Sequence, residues 1–192
     1  MKKGFTLLEL LIVIGILAIL STTMILVINP AEMLKKARDS QRISDLNTLK
    51  TAISMYLTDV ASPTIGTSTY SYSHVTSVNC GATGNASTSQ AVNGNGWIPI
   101  NFTSITGGAP ISALPVDPNP TAYATSPYLY YAYVVGSSNT FKIFANMEST
   151  YYSYGGTGSI EDKDGGTKSS LYEVGTDLSI GTTSASCYNS AS

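Results

Sequence analysis

An uncharged apolar run lies near the N-terminus of this chain. No Asp, Glu, Lys or Arg occurs in the nineteen residues from Leu10 to Ile28. As an α-helix rising about 1.5 Å per residue, this run would cross the roughly 30 Å hydrocarbon core of a membrane. Lys2 and Lys3 precede it, and positive residues favour the cytoplasmic side. The sequence therefore predicts a membrane helix with the rest of the chain outside the cytoplasm.

Two ordinary explanations of the run compete with each other. A secretory signal peptide has an apolar core of about 7–15 residues that ends in an A-x-A-like cleavage site. This run is longer, and Ala18-Ile19-Leu20 lacks the second small residue. A plain membrane anchor fits the length but leaves Glu9 unexplained, because an unpaired carboxylate near the start of a membrane helix is costly.

Glu9 gains a partner if the chain is cut after Gly4. Phe5 would then carry a new α-amino group, and Glu9 lies four residues further on, one helical turn away. In a bundle of identical helices, the Glu9 carboxylate of one copy can neutralise the Phe5 amine of its neighbour. Because each charge alone is costly in an apolar setting, the pair would fix the axial register between copies.

The residues around Gly4 and Phe5 resemble the class III leader and processing site of type IV prepilins and type II secretion pseudopilins. The match comprises the basic leader, Gly before the cut, Phe after it, and Glu9 at the fifth mature position. The resemblance implies cleavage between Gly4 and Phe5, N-methylation of Phe5 and a register role for Glu9. The implied partners are a prepilin peptidase/methyltransferase, an inner-membrane assembly platform and further copies of this chain.

The chain is expected to have an α+β pilin fold, with a long N-terminal helix packed on a small antiparallel β-sheet head. We expect four parts: a cleaved leader at 1–4, a membrane or filament-core helix at 5–29, an amphipathic helix at 30–60 and a β head at 61–192. The precursor would lie in the cytoplasmic membrane. The mature chain would then enter an extracellular filament or reach the cell surface.

Asn29-Pro30 predicts a helix break, because proline removes a backbone donor and clashes with the preceding turn. Asn29 can cap a restarted helix with Pro30 at its first position. In related filaments, part of this zone loses helix as the subunit leaves the membrane. The resemblance places such melting between Gly15 and Pro30, and a static kink remains the alternative.

The second helix has a charged half and an apolar half. Oppositely charged residues first recur at helical spacing, and we expect these pairs to be solvated or to face other copies: Glu32 with Lys36, Lys35 with Asp39, and Asp39 with Arg42. The interleaved acids argue against nucleic-acid binding. An apolar stripe then predicts a core-facing helix surface, formed by Ile43, Leu46, Leu49, Ile53, Tyr56 and Val60.

The head begins with a Ser-, Thr- and Gly-rich loop at 61–96, in which the lone His74 is expected at the surface. Residues 97–102 should form an extended segment covering the helix. Leu114-Pro115-Val116-Asp117-Pro118 is similar to a turn of major pseudopilins, and we assign Asp117 to structure rather than catalysis.

Two strands at 128–135 and 140–147 predict an antiparallel hairpin, and 171–174 can add a third strand. The tyrosines of the first strand could suggest sugar binding or electron transfer. We interpret them instead as amphipathic rings on a half-buried sheet.

Two further features depend on the environment outside the cell. Cys80 and Cys187 would pair in an oxidising compartment, with free thiols as the alternative. Major pseudopilins bind calcium after the hairpin, and the resemblance implies a site at Glu161, Asp162 and Asp164. Calcium prefers six to eight oxygens, but this run lacks EF-hand spacing, so a solvated acidic turn is the alternative and no cofactor is required.

The expected function is structural. A net charge of -2 gives no basic field for nucleic acid, and no nucleophile–base set, metal cluster or phosphate loop indicates an enzyme. We expect a subunit of a type IV pilus-like filament. The alternatives are a pseudopilin of a secretion piston and a minor pilin whose head binds DNA, sugar or a surface. The long loop without charges departs from compact secretion pseudopilins.

Overall fold

A computed structural model describes residues 4–67, 71–74, 85–119 and 129–181 of the chain. It divides into two compact units, Met1–Lys35 and Lys36–Ser192. The first unit contains the N-terminal helix and the second contains the sheet, so the class is α+β with a pilin-like arrangement of elements.

Helix α1, Leu7–Ile28, forms most of the first unit. Its side chains are exposed at every position from Leu7 to Met24. The hydroxyls of Ser21, Thr22 and Thr23 donate to backbone carbonyls of the preceding turn, so these polar groups are satisfied without water. Among the described residues, Leu7–Met24 is the one helical stretch long and apolar enough to cross a membrane.

Asn29 separates α1 from the second helix, α2, which spans Pro30–Asp59. Its backbone is left-handed, with φ of 43°, a conformation that Asn tolerates better than most residues. The Asn29 carbonyl accepts hydrogen bonds from the amides of Glu32 at 3.0 Å and Met33 at 3.2 Å. Pro30 occupies the first helical position, where a missing N–H costs nothing.

The apolar stripe of α2 faces the core of the second unit, as its periodicity predicts. Ile43 and Val60, the two ends of the predicted stripe, are only partly buried. The fully buried apolar side chains of α2 are Leu46, Leu49, Ala52, Ile53 and Tyr56.

The five strands among the described residues are β1 at Ser71–Ser73, β2 at Asn85–Ala86, β3 at Ala132–Val135, β4 at Phe141–Ala145 and β5 at Tyr172–Gly175. They form one sheet in the order β2-β1-β3-β4-β5. The pairs β1–β3, β3–β4 and β4–β5 are antiparallel. The two-residue strand β2 pairs parallel with β1.

The predicted hairpin is formed by β3 and β4, which are shorter than the sequence suggests. The connection contains two left-handed residues, Ser138 with φ of 56° and Asn139 with φ of 59°. Val135 pairs with Phe141 at the turn, and Ala132 pairs with Phe144. Tyr128, the first residue of the predicted strand, lies outside the described residues.

Both faces of the hairpin are buried, so the expectation of a half-buried sheet is wrong here. Phe141, Ile143 and Ala145 belong to the core that includes α2, but Lys142 and Phe144 on the opposite face are also fully buried. Both faces are therefore packed, and the strands lack a solvated side.

The tyrosines before and within β3 are accordingly buried rather than half-exposed. Two of the buried phenols donate to acceptors on other elements, as buried hydroxyls require. Tyr131 donates to Asp45 Oδ2 at 2.8 Å, and Tyr133 donates to the Ile65 carbonyl at 2.8 Å.

The segment after the long loop covers α2. Trp97, Ile98, Ile100 and Phe102 are buried in the same core as α2, and the Phe102 ring meets the edge of Tyr56 at 6.1 Å between centroids. The Trp97 indole N–H donates to the Pro115 carbonyl at 3.1 Å.

The surface position expected for His74 is wrong, since only 9% of the residue is exposed. His74 directly follows β1, and β1 pairs with β3. The imidazole ring therefore packs against two other rings, with centroid distances of 6.1 Å to Trp97 and 6.0 Å to Tyr131. Its Nδ1 has no hydrogen-bond partner. Burial lowers the pKa of His74, although the charge of Asp117 opposes the shift.

Candidate functional site

The segment of the predicted processing site lies outside any helix. Gly4, Phe5 and Thr6 are exposed and irregular, and α1 begins at Leu7. A Cβ added at Gly4 would meet nothing within 4 Å. Nothing in the described part of the chain therefore requires glycine at this position.

Thr6 and Glu9 form a capping box at the start of α1. The Thr6 carbonyl accepts the first helical hydrogen bond, from the Leu10 amide at 3.2 Å. The Thr6 hydroxyl oxygen accepts from the Glu9 amide at 3.2 Å. In return, Glu9 Oε2 accepts from the Thr6 amide at 3.0 Å and from the Thr6 hydroxyl at 2.9 Å. Two orphan donors of the helix end are thus satisfied reciprocally.

The capping box was missed in the sequence, although a Thr followed three residues later by Glu before an apolar run is its signature. It also weakens one argument made from the sequence. A plain membrane anchor could keep Glu9 for this cap, so the carboxylate alone does not distinguish an anchor from an assembling subunit.

The second carboxylate oxygen of Glu9 remains available. Both Thr6 donors bind Oε2, and Oε1 accepts no hydrogen bond from the described residues. Glu9 can therefore hold its own helix end and still offer an oxygen to a positive group of another molecule.

The acids proposed for calcium are separately engaged. The buried Glu161 accepts backbone amide hydrogen bonds from Met147 at 2.8 Å and Tyr154 at 2.7 Å. Burial raises the pKa of Glu161 to about 7, although these amides favour its charged form. Asp162 accepts from the Ser159 hydroxyl at 2.5 Å.

Asp164 is likewise bound to the backbone, by the amides of Gly166 at 2.7 Å and Glu173 at 2.6 Å. Across the described ranges, no group of three or more His, Cys, Asp or Glu side chains is arranged to hold a metal ion. Calcium binding by Glu161, Asp162 and Asp164 stays a prediction, and it would require these carboxylates to leave their present partners. Cys80 and Cys187 lie outside the described residues.

A buried charge cluster contradicts the expectation that the Asp39–Arg42 pair is solvated. Arg42 and Asp39 are both fully buried and lie 2.7 Å apart. The Arg42 guanidinium also makes two hydrogen bonds to Asp117, each 2.7 Å long. Burial alone would lower the pKa of Arg42, but the hydrogen bonds and charges of Asp117 and Asp39 more than offset it and raise the pKa.

The same cluster joins α2 to the segment that follows β4. Asp39 accepts from the amides of Glu148 at 2.9 Å and Ser149 at 2.8 Å. The Nε of Arg38 donates to Glu148 Oε2 at 2.7 Å, and the same oxygen lies 3.4 Å from Nη1 of Arg42. Every charged group of the cluster is thus used in structural bonds.

Asp117 is the centre of the turn that the sequence singled out. Besides binding Arg42, its Oδ1 accepts the Asn119 amide at 2.8 Å. Asp117 therefore ties the proline-bounded turn to α2, and its bonding is that of a structural residue.

A second buried ion pair joins the neighbouring strands β4 and β5. Lys142 on β4 donates to Glu173 on β5 at 2.6 Å, and both side chains are fully buried. The other Glu173 oxygen accepts the Lys168 amide at 3.0 Å. The pair is internally satisfied and fixes β4 against β5.

Two grooves lie between α2 and residues 105–111, with volumes of about 450 and 380 Å³. Both include Met55 and Pro110, and Asp59 is the one titratable residue in their linings. Asp59 accepts from the amide of Thr106 at 2.7 Å. The linings contain no nucleophile beside a general base.

Residues 1–25 match a family described as the prokaryotic N-terminal methylation motif. The match covers the irregular segment, the capping box and most of α1. Neither the comparison with curated proteins nor that with solved structures gives a match. The comparisons thus bear on the N-terminal segment, and the rest of the chain is understood from its own geometry.

Proposed function

Because this motif is the class III signal peptide of the type IV pilin and pseudopilin family, we propose that this pilin-like precursor supplies the structural subunit of an extracellular filament. A prepilin peptidase would cut between Gly4 and Phe5 and methylate the Phe5 amine. The observation that carries the proposal is the motif leading directly into a helix whose apolar side chains are all exposed from Leu7 to Met24.

The exposed surface of α1 restricts where the helix can be. In water its apolar area would cost roughly 25 cal/mol per Å², so the helix is stable either in lipid or against other apolar helices. When the subunit leaves the membrane, packing of α1 against copies of itself removes that cost. The chain therefore has a strong drive to form a bundle of α1 helices.

Glu9 provides the polar element of that bundle. Its free Oε1 would accept the Phe5 amine of a neighbouring copy, while Oε2 keeps the Thr6 cap. An ion pair in an apolar bundle is satisfied at one stagger of the helices only, which sets their register.

The proposal assigns no enzymatic step to the chain itself. Cleavage and methylation are done to it by the peptidase/methyltransferase, and filament growth by a membrane assembly platform. The bonding of Asp117, Asp39 and Arg42 supports a structural role, because these charged groups bind one another inside the fold.

One observation favours a second candidate, a pseudopilin of a secretion piston. The turn Leu114-Pro115-Val116-Asp117-Pro118 is similar to that of major pseudopilins, and here it is anchored to α2 through Arg42. Both candidates share the processing step and differ in filament length and location.

The test is electron microscopy of material sheared from the cell surface, with mass spectrometry of its main subunit. Long thin fibres whose subunit begins at a methylated Phe5 are expected, and a Gly4→Val precursor should yield none. A cleaved subunit found only in the membrane fraction would favour the pseudopilin or a minor pilin. An uncleaved chain in the wild type would refute both candidates.

A further inference from the structure

We propose that Thr6 is a positioning residue for precursor cleavage, because its capping box keeps the Gly4–Phe5 bond outside α1. This inference rests on the proposed function, since it concerns the processing step. It assigns Thr6 a role in substrate presentation that is separate from the register role of Glu9.

The geometry of the cap carries the inference. Thr6 supplies the first helical acceptor through its carbonyl and closes the helix end with its hydroxyl and amide. No backbone hydrogen bond involving Gly4 or Phe5 occurs within the described ranges. The helix thus starts two residues after the bond that is to be cut.

A peptide bond inside a helix is a poor peptidase substrate. Its N–H and C=O are engaged along the helix axis and its backbone is wrapped by side chains. Hydrolysis needs access to the Gly4 carbonyl carbon: water adds its hydroxyl there, the C–N bond to Phe5 breaks, and the remaining proton goes to the Phe5 nitrogen. An exposed, irregular Gly4–Phe5 segment gives that access.

Without the cap, the boundary of α1 is weakly defined. Ala at position 6 is a strong helix former and a poor N-cap, so the helix would extend toward Gly4 in part of the population. Loss of a Ser or Thr cap shifts such an equilibrium on the order of fivefold. The peptidase would meet fewer molecules with an extended cleavage segment.

The experiment uses the full-length precursor in detergent micelles with a purified prepilin peptidase. Thr6→Ala should raise KM by about twofold and by at most about fivefold, with little change in kcat, because it lowers the fraction of competent substrate. Thr6→Ser keeps the hydroxyl and should restore the wild-type KM. Glu9→Leu removes the other half of the box and should raise KM like Thr6→Ala.

A second measurement separates helix extension from direct recognition of Thr6. In the absence of peptidase, the ¹³Cα shifts of Gly4 and Phe5 should move toward helical values in Thr6→Ala but not in Thr6→Ser. Unchanged kinetics of Thr6→Ala would overturn the inference. So would slowed cleavage without a helical shift, which would mean that the enzyme reads the hydroxyl itself. Failure of the wild type to be cut at Gly4–Phe5 would refute the proposed function as well.

Discussion

At the scale of single residues, Glu9 shows how one carboxylate can serve two contacts. Its Oε2 completes the Thr6 cap and its Oε1 is free among the described residues. Glutamine at this position keeps an acceptor for the cap but loses the charge that an amine requires. The substitution Glu9→Gln therefore separates the helix cap from the proposed intermolecular pair.

We predict that Glu9→Gln precursor is cleaved but assembles poorly. Leaving the Phe5 amine unpaired in an apolar bundle is costly enough to lower fibre yield about tenfold or more. The measurement is the ratio of sheared fibre to cleaved subunit in the membrane, by immunoblot. Ser21→Ala, which removes an exposed hydroxyl of α1 bonded only to its own helix, should leave this ratio unchanged. Normal fibres from Glu9→Gln would contradict the register argument.

Asp117 offers a test of the buried charge cluster. Asp117→Asn removes the anion that holds the fully buried Arg42 through two hydrogen bonds. We expect the free energy of unfolding to fall by about 3–5 kcal/mol, because a buried cation then lacks its main partner. Thermal unfolding in detergent, followed by near-ultraviolet circular dichroism, measures the change.

Arg38→Gln is the matched control for that experiment. Arg38 also binds the cluster, through Glu148, but its side chain is 30% exposed. Solvent can replace its bond, so we expect a loss of about 1 kcal/mol or less. Equal effects of the two substitutions would show that burial does not set the strength of these contacts.

His74 should make the stability of the second unit depend on pH. Burial lowers its pKa below the ordinary 6.5, while the nearby Asp117 charge and a hydrogen bond to the Tyr131 backbone oppose the shift. The folded protein disfavours the charged ring. The contribution of His74 to the free energy of unfolding is therefore fully present above pH 6.5 and is lost as the pH drops below that value. We expect a lower Tm at about pH 5.5 than at about pH 7.5.

The comparison with His74→Phe isolates this contribution. Glu161 titrates in the opposite sense, because its raised pKa of about 7 makes it destabilising as the pH rises through that value. Subtracting the Tm of the variant from that of the wild type cancels Glu161 and the other carboxylates. A difference that does not change with pH would rule out His74 as the titrating group.

At the scale of elements, local patterns predicted the helices and the hairpin but not the buried charges. The apolar residues of the α2 stripe and of β4 recur at spacings of two to four residues, and such local periodicity can be recognised directly in the sequence. The three-residue spacing of Asp39 and Arg42 is the same whether that face of the helix is solvated or buried. What buries the pair is Asp117, 75 residues from Arg42, and Glu148, 106 residues away.

His74 was misplaced for a related reason. It lies in a stretch with no periodicity, and its cover comes from β3 and from Trp97. The pairing of β1 with β3 joins distant parts of the chain, and nothing near His74 encodes it. The Thr6 cap differs, because its signature is local and could have been found.

The junction of α1 and α2 depends on the left-handed backbone of Asn29. Asn29→Val should destabilise the start of α2 by about 1–3 kcal/mol, because a β-branched residue is strained at positive φ and cannot cap. Faster amide hydrogen exchange at Glu32 and Met33 would report the loss. Asn29→Gly accepts the same φ and should preserve most of the protection. Similar exchange in all three proteins would contradict a role for this backbone conformation.

At the scale of the whole molecule, the two units differ in what stabilises them. All buried side chains among the described residues lie at Asp39 or later, and the apolar core begins at Leu46. The described side chains of α1 are exposed from Leu7 to Met24, so no described part of the chain covers the apolar surface of this helix. The second unit carries its own core, sheet and buried charge clusters.

We therefore predict that a chain beginning at Asn29 is soluble, monomeric and cooperatively folded. It keeps the cap of α2 and every residue that is buried within the described ranges, while losing the apolar surface that drives association. Its Tm should lie within about 3 °C of the full-length protein in detergent, because α1 contributes nothing to the described core. A chain beginning at Ile43 is the matched control, since it lacks Asp39 and Arg42 and leaves the buried Asp117 and the partly buried Glu148 without their arginine partners. We expect it to unfold non-cooperatively or aggregate. Aggregation of the longer chain as well would show that the second unit needs α1 to fold.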